Sequence, residues 1–226
     1  YTFTFSEVVS GFTAADITVS AGTAGLFTQV SGSVYQLIVT PPANAAGNIT
    51  VGVAAGVAID AAGNSNTIAS NNVQAYDTAA PSAPVITAPP ARTNDNTVTL
   101  TLTAEAGSTV NLYANGVLLG AASFVSGTEY TFTTAALLDG AYSVTATATD
   151  ATGNVSAEAT PRSFIVDTVA PAGPAITSAA LTNDSTPVIS GTAEVGSSVT
   201  VVVAGATYIT TATTGTWSID TASEPA

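Results

Sequence analysis

A five-residue signature occurs twice in this chain, and each copy is followed at the same distance by a second signature. Asp60-Ala-Ala-Gly-Asn64 precedes Asp77-Thr-Ala-Ala-Pro81, and Asp150-Ala-Thr-Gly-Asn154 precedes Asp167-Thr-Val-Ala-Pro171. The copies lie 90 residues apart, and in each the first Asp leads the second by 17. A repeat of that length can bury a core of its own, so the period predicts an array of small domains within the 226 residues. Further matches continue it. Thr93-Asn-Asp-Asn96 matches Thr182-Asn-Asp-Ser185, Thr103-Ala-Glu-Ala-Gly-Ser108 matches Thr192-Ala-Glu-Val-Gly-Ser197, and Ser126-Gly-Thr-Glu129 matches Thr214-Gly-Thr-Trp217.

The residues between these marks read as strands. Val98, Leu100 and Leu102 alternate with Thr99, Thr101 and Thr103, the period of a strand with one buried face. Tyr142, Val144, Ala146 and Ala148 alternate with Ser143, Thr145, Thr147 and Thr149 in the same way. Tyr1–Phe5, Asp16–Ser20, Leu26–Val30, Val34–Thr40, Ile49–Ile59 and Thr67–Tyr76 are the strands expected of the first repeat. The second has about seven, with Asn115-Gly116 as a two-residue hairpin turn. Tyr142 stands where a sandwich places a tyrosine corner, and a plain core Tyr fits the position too. The fold class is therefore all-β, as tandem immunoglobulin-like Greek-key sandwiches in a rod-like array. Pro81-Ser-Ala-Pro84 and Pro171-Ala-Gly-Pro174 read as short stiff connectors. The expected domains are 1–79, lacking its first strand; 80–169, complete; and 170–226, ending before its last two strands.

Charge narrows the role. Two Lys+Arg stand against 15 acidic residues, for a net charge of −13. Nucleic acid is excluded as a partner, because binding it needs a basic surface. An anionic membrane surface is excluded for the same reason. No apolar run is long enough to insert in a bilayer. The chain has no Cys and no His, which removes thiol nucleophiles, His-based triads and thiolate–zinc sites. The carboxylates recur by domain, whereas a catalytic pair would occur once. No enzyme is expected.

Those recurring carboxylates are the chemistry of the chain. Glu7, Glu105 and Glu194 open the loop after the second strand of their repeats; Asp60 and Asp150 open the loop between the sixth and seventh; Asp77 and Asp167 end the last strand. This connectivity gathers Asp77, Glu105 and Asp150 at the first junction, and Asp167 with Glu194 at the second. Carboxylates gathered without a recurring basic partner repel, and a hard divalent cation relieves that. Calcium, with Asn64 and Asn154 as further oxygen donors, is the expected cofactor. The competing reading is local: Asp-x-x-Gly-Asn is also a good turn, with Asp capping backbone N–H groups and Gly taking positive φ. Asn94-Asp95 and Asn183-Asp184 read as turn residues, and Trp217, Phe12, Phe27 and Phe124 as packing residues.

Phe5-Ser-Glu7 with Val9-Ser-Gly-Phe12 and Asp16-Ile-Thr-Val19 resembles one type of bacterial immunoglobulin-like (Big) repeat. Thr182-Asn-Asp-Ser-Thr-Pro187, Gly191-Thr-Ala-Glu194, Gly215-Thr-Trp217 and Asp139-Gly-Ala-Tyr142 resemble a second type. The resemblance implies the stalk of a long bacterial surface adhesin of the RTX or biofilm kind, outside the cell, stiffened by calcium and supporting adhesion. Its partners are then the neighbouring repeats of its own chain. Two alternatives stand beside this one: a subunit of a self-assembling filament or surface layer, through homotypic strand exchange, and a glycan- or protein-binding module.

Overall fold

The computed structural model describes residues 1–223. They form tandem β-sandwiches, with one 3-10 turn at Ala14–Asp16. No helix among the described residues is long and apolar enough to cross a membrane. The chain divides into two compact units, Tyr1–Val166 and a second that begins at Asp167. The first unit holds two modules whose strands pair only within their own module.

The first module has six strands: β1 (Thr2–Thr4), β2 (Ile17–Val19), β3 (Thr23–Gln29), β4 (Val34–Thr40), β5 (Ala46–Val53) and β6 (Asn72–Asp77). They form two antiparallel sheets, ordered β1-β4-β3 and β2-β5-β6. Phe12 lies at the centre of the core. Its ring meets Phe3, Phe5, Phe27 and Tyr35 edge to face at centroid distances of 5.0 to 5.7 Å, the geometry aromatic quadrupoles favour.

The strand expected over Ile49–Ile59 stops at Val53, although its apolar alternation continues. Asn66 is the reason. Its Oδ1 accepts from the Val57 and Ala58 N–H groups at 2.9 Å each, and its Nδ2 donates to Ala54 O and Thr67 O at 2.8 Å. One side chain thus satisfies the backbone of two segments and removes both from the ladder. The strand expected from Thr67 accordingly begins only at Asn72.

The second module has nine strands where about seven were expected: β7 (Val85–Ile86), β8 (Arg92–Thr93), β9 (Thr99–Thr103), β10 (Thr109–Ala114), β11 (Val117–Ala121), β12 (Ser123–Ser126), β13 (Glu129–Thr133), β14 (Gly140–Thr149) and β15 (Arg162–Val166). One sheet is ordered β11-β10-β14-β15-β8, the other β12-β13-β9-β7. β8 and β12 are the additions. The first strand breaks after Ile86 because Pro89 and Pro90 cannot donate to a ladder. The chain then crosses to the other sheet, where β8 lies parallel to β15. Leu100, Leu102, Leu112, Val144, Ala146 and Ala148 are all buried, so both alternations point inward as expected. Asn115 and Gly116 have φ of 49° and 79° and join β10 to β11, the turn whose twist matches a hairpin. Tyr142 is a tyrosine corner: its hydroxyl donates to Leu138 O at 2.9 Å. Phe124 packs as expected, edge to face on buried Tyr130 at a centroid distance of 5.6 Å, but most of its ring stays exposed at the sheet edge.

The third module has β16 (Ala175–Ile176), β17 (Val188–Thr192), β18 (Ser198–Val203), β19 (Ala206–Thr211) and β20 (Thr216–Asp220), in sheets β16-β17-β20 and β18-β19. Trp217 is buried as expected, and its indole N–H donates to Thr192 O at 3.2 Å. Sequence matching sets Trp217 against Glu129, but the ladders correct that. Gly191 faces Trp217 as Leu102 faces Tyr130, so Trp217 is the counterpart of Tyr130. The Gly-Thr turn motif slips by one residue because burial of the ring fixes the register.

Candidate functional site: the junction of the first two modules

The site is built from a turn, a strand end and a connector. Asp150 follows β14 directly, and its carboxylate closes the turn beneath it. Oδ1 accepts from the Thr152 N–H, the Thr152 hydroxyl and the Asn154 N–H at 2.9 Å each, and Oδ2 accepts from Asn154 Nδ2 at 2.8 Å. Gly153 supplies the positive φ, 93°, that the turn needs. Desolvation pushes the Asp150 pKa up, but the hydrogen bonds from Asn154 and Thr152 outweigh it and hold the carboxylate at about 2. The first-module copy is the same object. Asp60 Oδ1 accepts from the Ala62 and Asn64 N–H groups, and Oδ2 from Asn64 Nδ2, all at 2.8 Å. The Asn64 side chain, then its backbone N–H, lowers the Asp60 pKa.

Position separates the copies. Asn64 is exposed, whereas Asn154 is half-buried and its Nδ2 also donates to the backbone carbonyl of Asp77 at 3.2 Å. Asp77 is the last residue of β6, so this bond ties the turn of the second module to the end of the first. The chain just beyond is pinned as well. The Thr78 hydroxyl donates to Pro42 O at 2.6 Å, and the Thr78 N–H to Ala45 O at 2.9 Å. Asp77 Oδ1 accepts from the Ala79 N–H at 3.0 Å. Pro81 and Pro84 are buried. The connector is thus a packed segment, held by groups on both sides.

The structure therefore brings Asp77, Asp150 and Asn154 together, through the Asp77 carbonyl and not its carboxylate. Glu105 lies in the turn after β9, where its carbonyl accepts from Tyr130 and Ser108 hydroxyls at 3.0 and 2.7 Å while its side chain is exposed. Glu194 repeats that turn in the third module, with Ser197 Oγ donating to its carbonyl at 2.7 Å. Asp167 follows β15. In the first module Glu7, Asp60 and Asn64 line one cleft, so they share an end of the sandwich. Among the described residues, no three acidic side chains stand close enough to hold a metal ion. The donors are oxygens of the hard type calcium takes, but the Asp60 and Asp150 carboxylates are already engaged by their own turns. Sequence reading missed Thr78. Its signal was present, since Thr follows Asp in both Asp77-Thr-Ala-Ala-Pro81 and Asp167-Thr-Val-Ala-Pro171.

Residues 1–76 match one family model described as a bacterial Ig-like domain, and residues 86–168 match a second model of the same description. Both stretches belong to the bacterial Ig-like domains. Such domains are typically structural, non-catalytic modules. No curated protein matches the chain. Among solved structures, a biofilm-associated protein BSP domain matches at 19% identity and a TM-score of 0.33, over 62% of this chain and 22% of its own. The fibronectin(III)-like modules of Clostridium thermocellum CbhA match at 16% and 0.37, over 61% and 70%. Bacteroides ovatus SGBP-B, solved with a mixed-linkage heptasaccharide, matches at 18% and 0.27, over 71% and 40%. The chain thus spans about a fifth of the length of the biofilm-associated structure.

Proposed function

We propose that these bacterial Ig-like domains are an extender segment of an extracellular bacterial surface adhesin, holding a distant binding region away from the cell in adhesion or biofilm. The observation that carries this is the Asn154–Asp77 bond beside a connector that is pinned at Thr78 and buries Pro81 and Pro84. A module that binds a ligand by itself needs no fixed relation to its neighbour, whereas an extender does.

Calcium at the junction is the finer part of the reading. A net charge of −13 supports it, since such a field concentrates cations. So does the Asp150 carboxylate, which hydrogen bonds from Asn154 and Thr152 hold at about 2 and whose partner Asn154 also bonds the Asp77 carbonyl. To hold the ion, the Asp77 and Glu105 carboxylates would have to turn toward Asp150, since the three do not stand together in the structure; the ion would then supply electrostatic cross-linking between modules and stabilise only while bound. Small-angle scattering and thermal melting, with calcium and then with chelator, test this. Chelation should shorten the average extension and lower the melting temperature, and Asp77→Asn should abolish both responses. Identical curves in the two conditions remove calcium from the reading. Loss of extension in Asn154→Ala, with or without calcium, tests the junction itself.

A second reading has one observation in its favour. Val117, Leu118, Phe124 and Val125, on β11 and β12, are all exposed. This apolar edge is the place where a binding module would take a glycan or protein. Glycan-array hits lost in Phe124→Ala would establish that role, and an array without hits would remove glycans from it.

A further inference from the structure

The two lateral edges of the second module are built in opposite ways. One is formed by β7 and β8, of two residues each. Pro84, Pro89 and Pro90 stand beside them, with Arg92 on β8 and Asp95 just beyond. Short strands, prolines and charges keep a sheet edge from pairing. The other edge is formed by β11 and β12, which Ala122 joins, so one stretch from Val117 to Ser126 borders both sheets. Residues 106–128 contain no charged residue and no Pro. Val117, Leu118, Phe124 and Val125 are 55% to 67% exposed. Neighbours on a strand point to opposite sides, so exposure of both members of each pair marks an edge uncovered on either side among the described residues.

The pattern along this edge reads alike in both directions. Large apolar residues stand at its ends, Val117-Leu118 and Phe124-Val125, with the small Gly120-Ala-Ala-Ser123 between them. A two-fold axis at Ala121 therefore sets Val117 opposite the Val125 of another copy, and Leu118 opposite its Phe124. The small residues let the two backbones approach, and the large ones cover the contact at each end. Bulges at Leu119 and Val125 interrupt the outer backbone, so side chains carry the contact more than a ladder does. Charge selects the same arrangement. With a net charge of −13, two copies repel in most approaches, and an uncharged edge is where they can meet. Glu129 pairs across from Ser126. In the antiparallel arrangement it stands level with the other copy's uncharged Asn115-Gly116 turn, whereas in a parallel one it would face its own counterpart.

We propose that the β11–β12 edge is an interface with a second copy of this chain, two-fold and antiparallel about Ala121. Such an isologous contact closes on itself and gives a dimer, not a filament. It deepens the second reading above by naming the protein taken at that edge. The extender role rests on a bond inside one chain and survives if copies do not pair.

Sedimentation velocity of the full chain tests this, over a wide concentration range at low and high salt. The mass should rise from one copy to two and stop there. The dimer should form at lower concentration in high salt, where screening weakens the repulsion. Leu118→Glu, at an exposed position where circular dichroism should be unchanged, should stay monomeric. Ala121→Cys reads the register. The chain has no Cys of its own, so any disulfide between proteins joins two copies. With oxidised glutathione, Ala121→Cys should give linked dimer much faster than Ala157→Cys, at another exposed position of the module. A chain that stays monomeric throughout overturns the proposal. So do growth past two copies, a dimer indifferent to Leu118→Glu, and equal linking of the two Cys variants. A monomer with glycan-array hits lost in Phe124→Ala overturns it while keeping the second reading.

Discussion

The second and third modules use the same residues at matched positions, with different results. The turn after the second strand is identical in the two: Ser108 Oγ donates to Glu105 O at 2.7 Å, and Ser197 Oγ to Glu194 O at 2.7 Å. The Asp95 and Asp184 turns agree as well, with the Thr97 and Thr186 N–H groups donating to the respective carboxylates at 2.8 and 2.9 Å. Burial does not agree. Ile86 is 1% exposed and Ile176 66%. Among the described residues, β10 lies between β11 and β14, whereas β18 pairs with β19 alone. A short hydrogen-bonded turn depends on its own few residues, so it survives transfer between modules. A core position depends on strands far along the chain, and the same Ile is core or surface according to what covers it.

The largest expected effect breaks that comparison at the Ile pair. Ile86→Ala removes a fully buried side chain and should cost the second module about 3 kcal/mol of stability. Ile176→Ala should change stability by less than about 0.5 kcal/mol. Urea unfolding of the two variants checks this, and equal losses would mean that Ile176 is buried in solution.

Next in size is Gly191→Ala. A Cβ there would meet the Ala175 carbonyl and the Trp217 indole, so the third module has no room for it. The second module has Leu102 at this position and the smaller Tyr130 opposite, a different division of nearly the same space. Gly191→Ala should destabilise the third module by about 2 kcal/mol through overpacking. Trp217 fluorescence reports that module directly, since it is the only Trp in the chain.

These contrasts show what was legible in the sequence. Alternation at Val98–Leu102 and Tyr142–Ala148 gave the strands and their inward faces, and repetition gave the module plan. The Asp150 turn was legible as one of two readings, and the Oδ1 bonds to Thr152 and Asn154 show how fully it serves as a turn. The loop from Ala54 to Asn71 was not legible, because one Asn side chain overrides a continuing apolar alternation. The Asn154–Asp77 bond was hidden for another reason. Its acceptor is a backbone carbonyl, which every residue carries, so no residue type marks it.

A comparable effect separates the two Asp-x-x-Gly-Asn turns. Asn64→Ala loses bonds within its turn. Asn154→Ala loses the same bonds, the one to Asp77 O and a further one from Nδ2 to Thr152 Oγ1 at 2.8 Å, and should therefore cost about 2 kcal/mol more, at about 1 kcal/mol for each neutral hydrogen bond. Parallel thermal melts check the difference. If the variants melt alike, neither the junction bond nor the bond to Thr152 contributes to stability, and the role of the junction bond is limited to orientation.

The smallest effect is one of pH. Asp150 is held at about 2, below the ordinary 3.8. A carboxylate with a lowered folded-state pKa contributes stability that is fully present above its unfolded value and is lost as pH falls through the folded one. The window therefore runs from about pH 4 down to about pH 2. Asp60 is lowered by the same kind of bonds, and Asp95 by the Thr97 N–H and hydroxyl, so both add to the slope in the same direction. Stability of the wild-type chain should fall steadily across that window. In Asp150→Asn the overall stability should be lower at neutral pH but its decline through the window shallower, because one proton-linked group is gone. Asp60→Asn should flatten the decline as well, in proportion to its own depression. Urea midpoints measured at steps from pH 5 to pH 2 decide the matter. A variant curve parallel to the wild type would show that the Asp150 carboxylate is not held low, and that the turn does not depend on its charge.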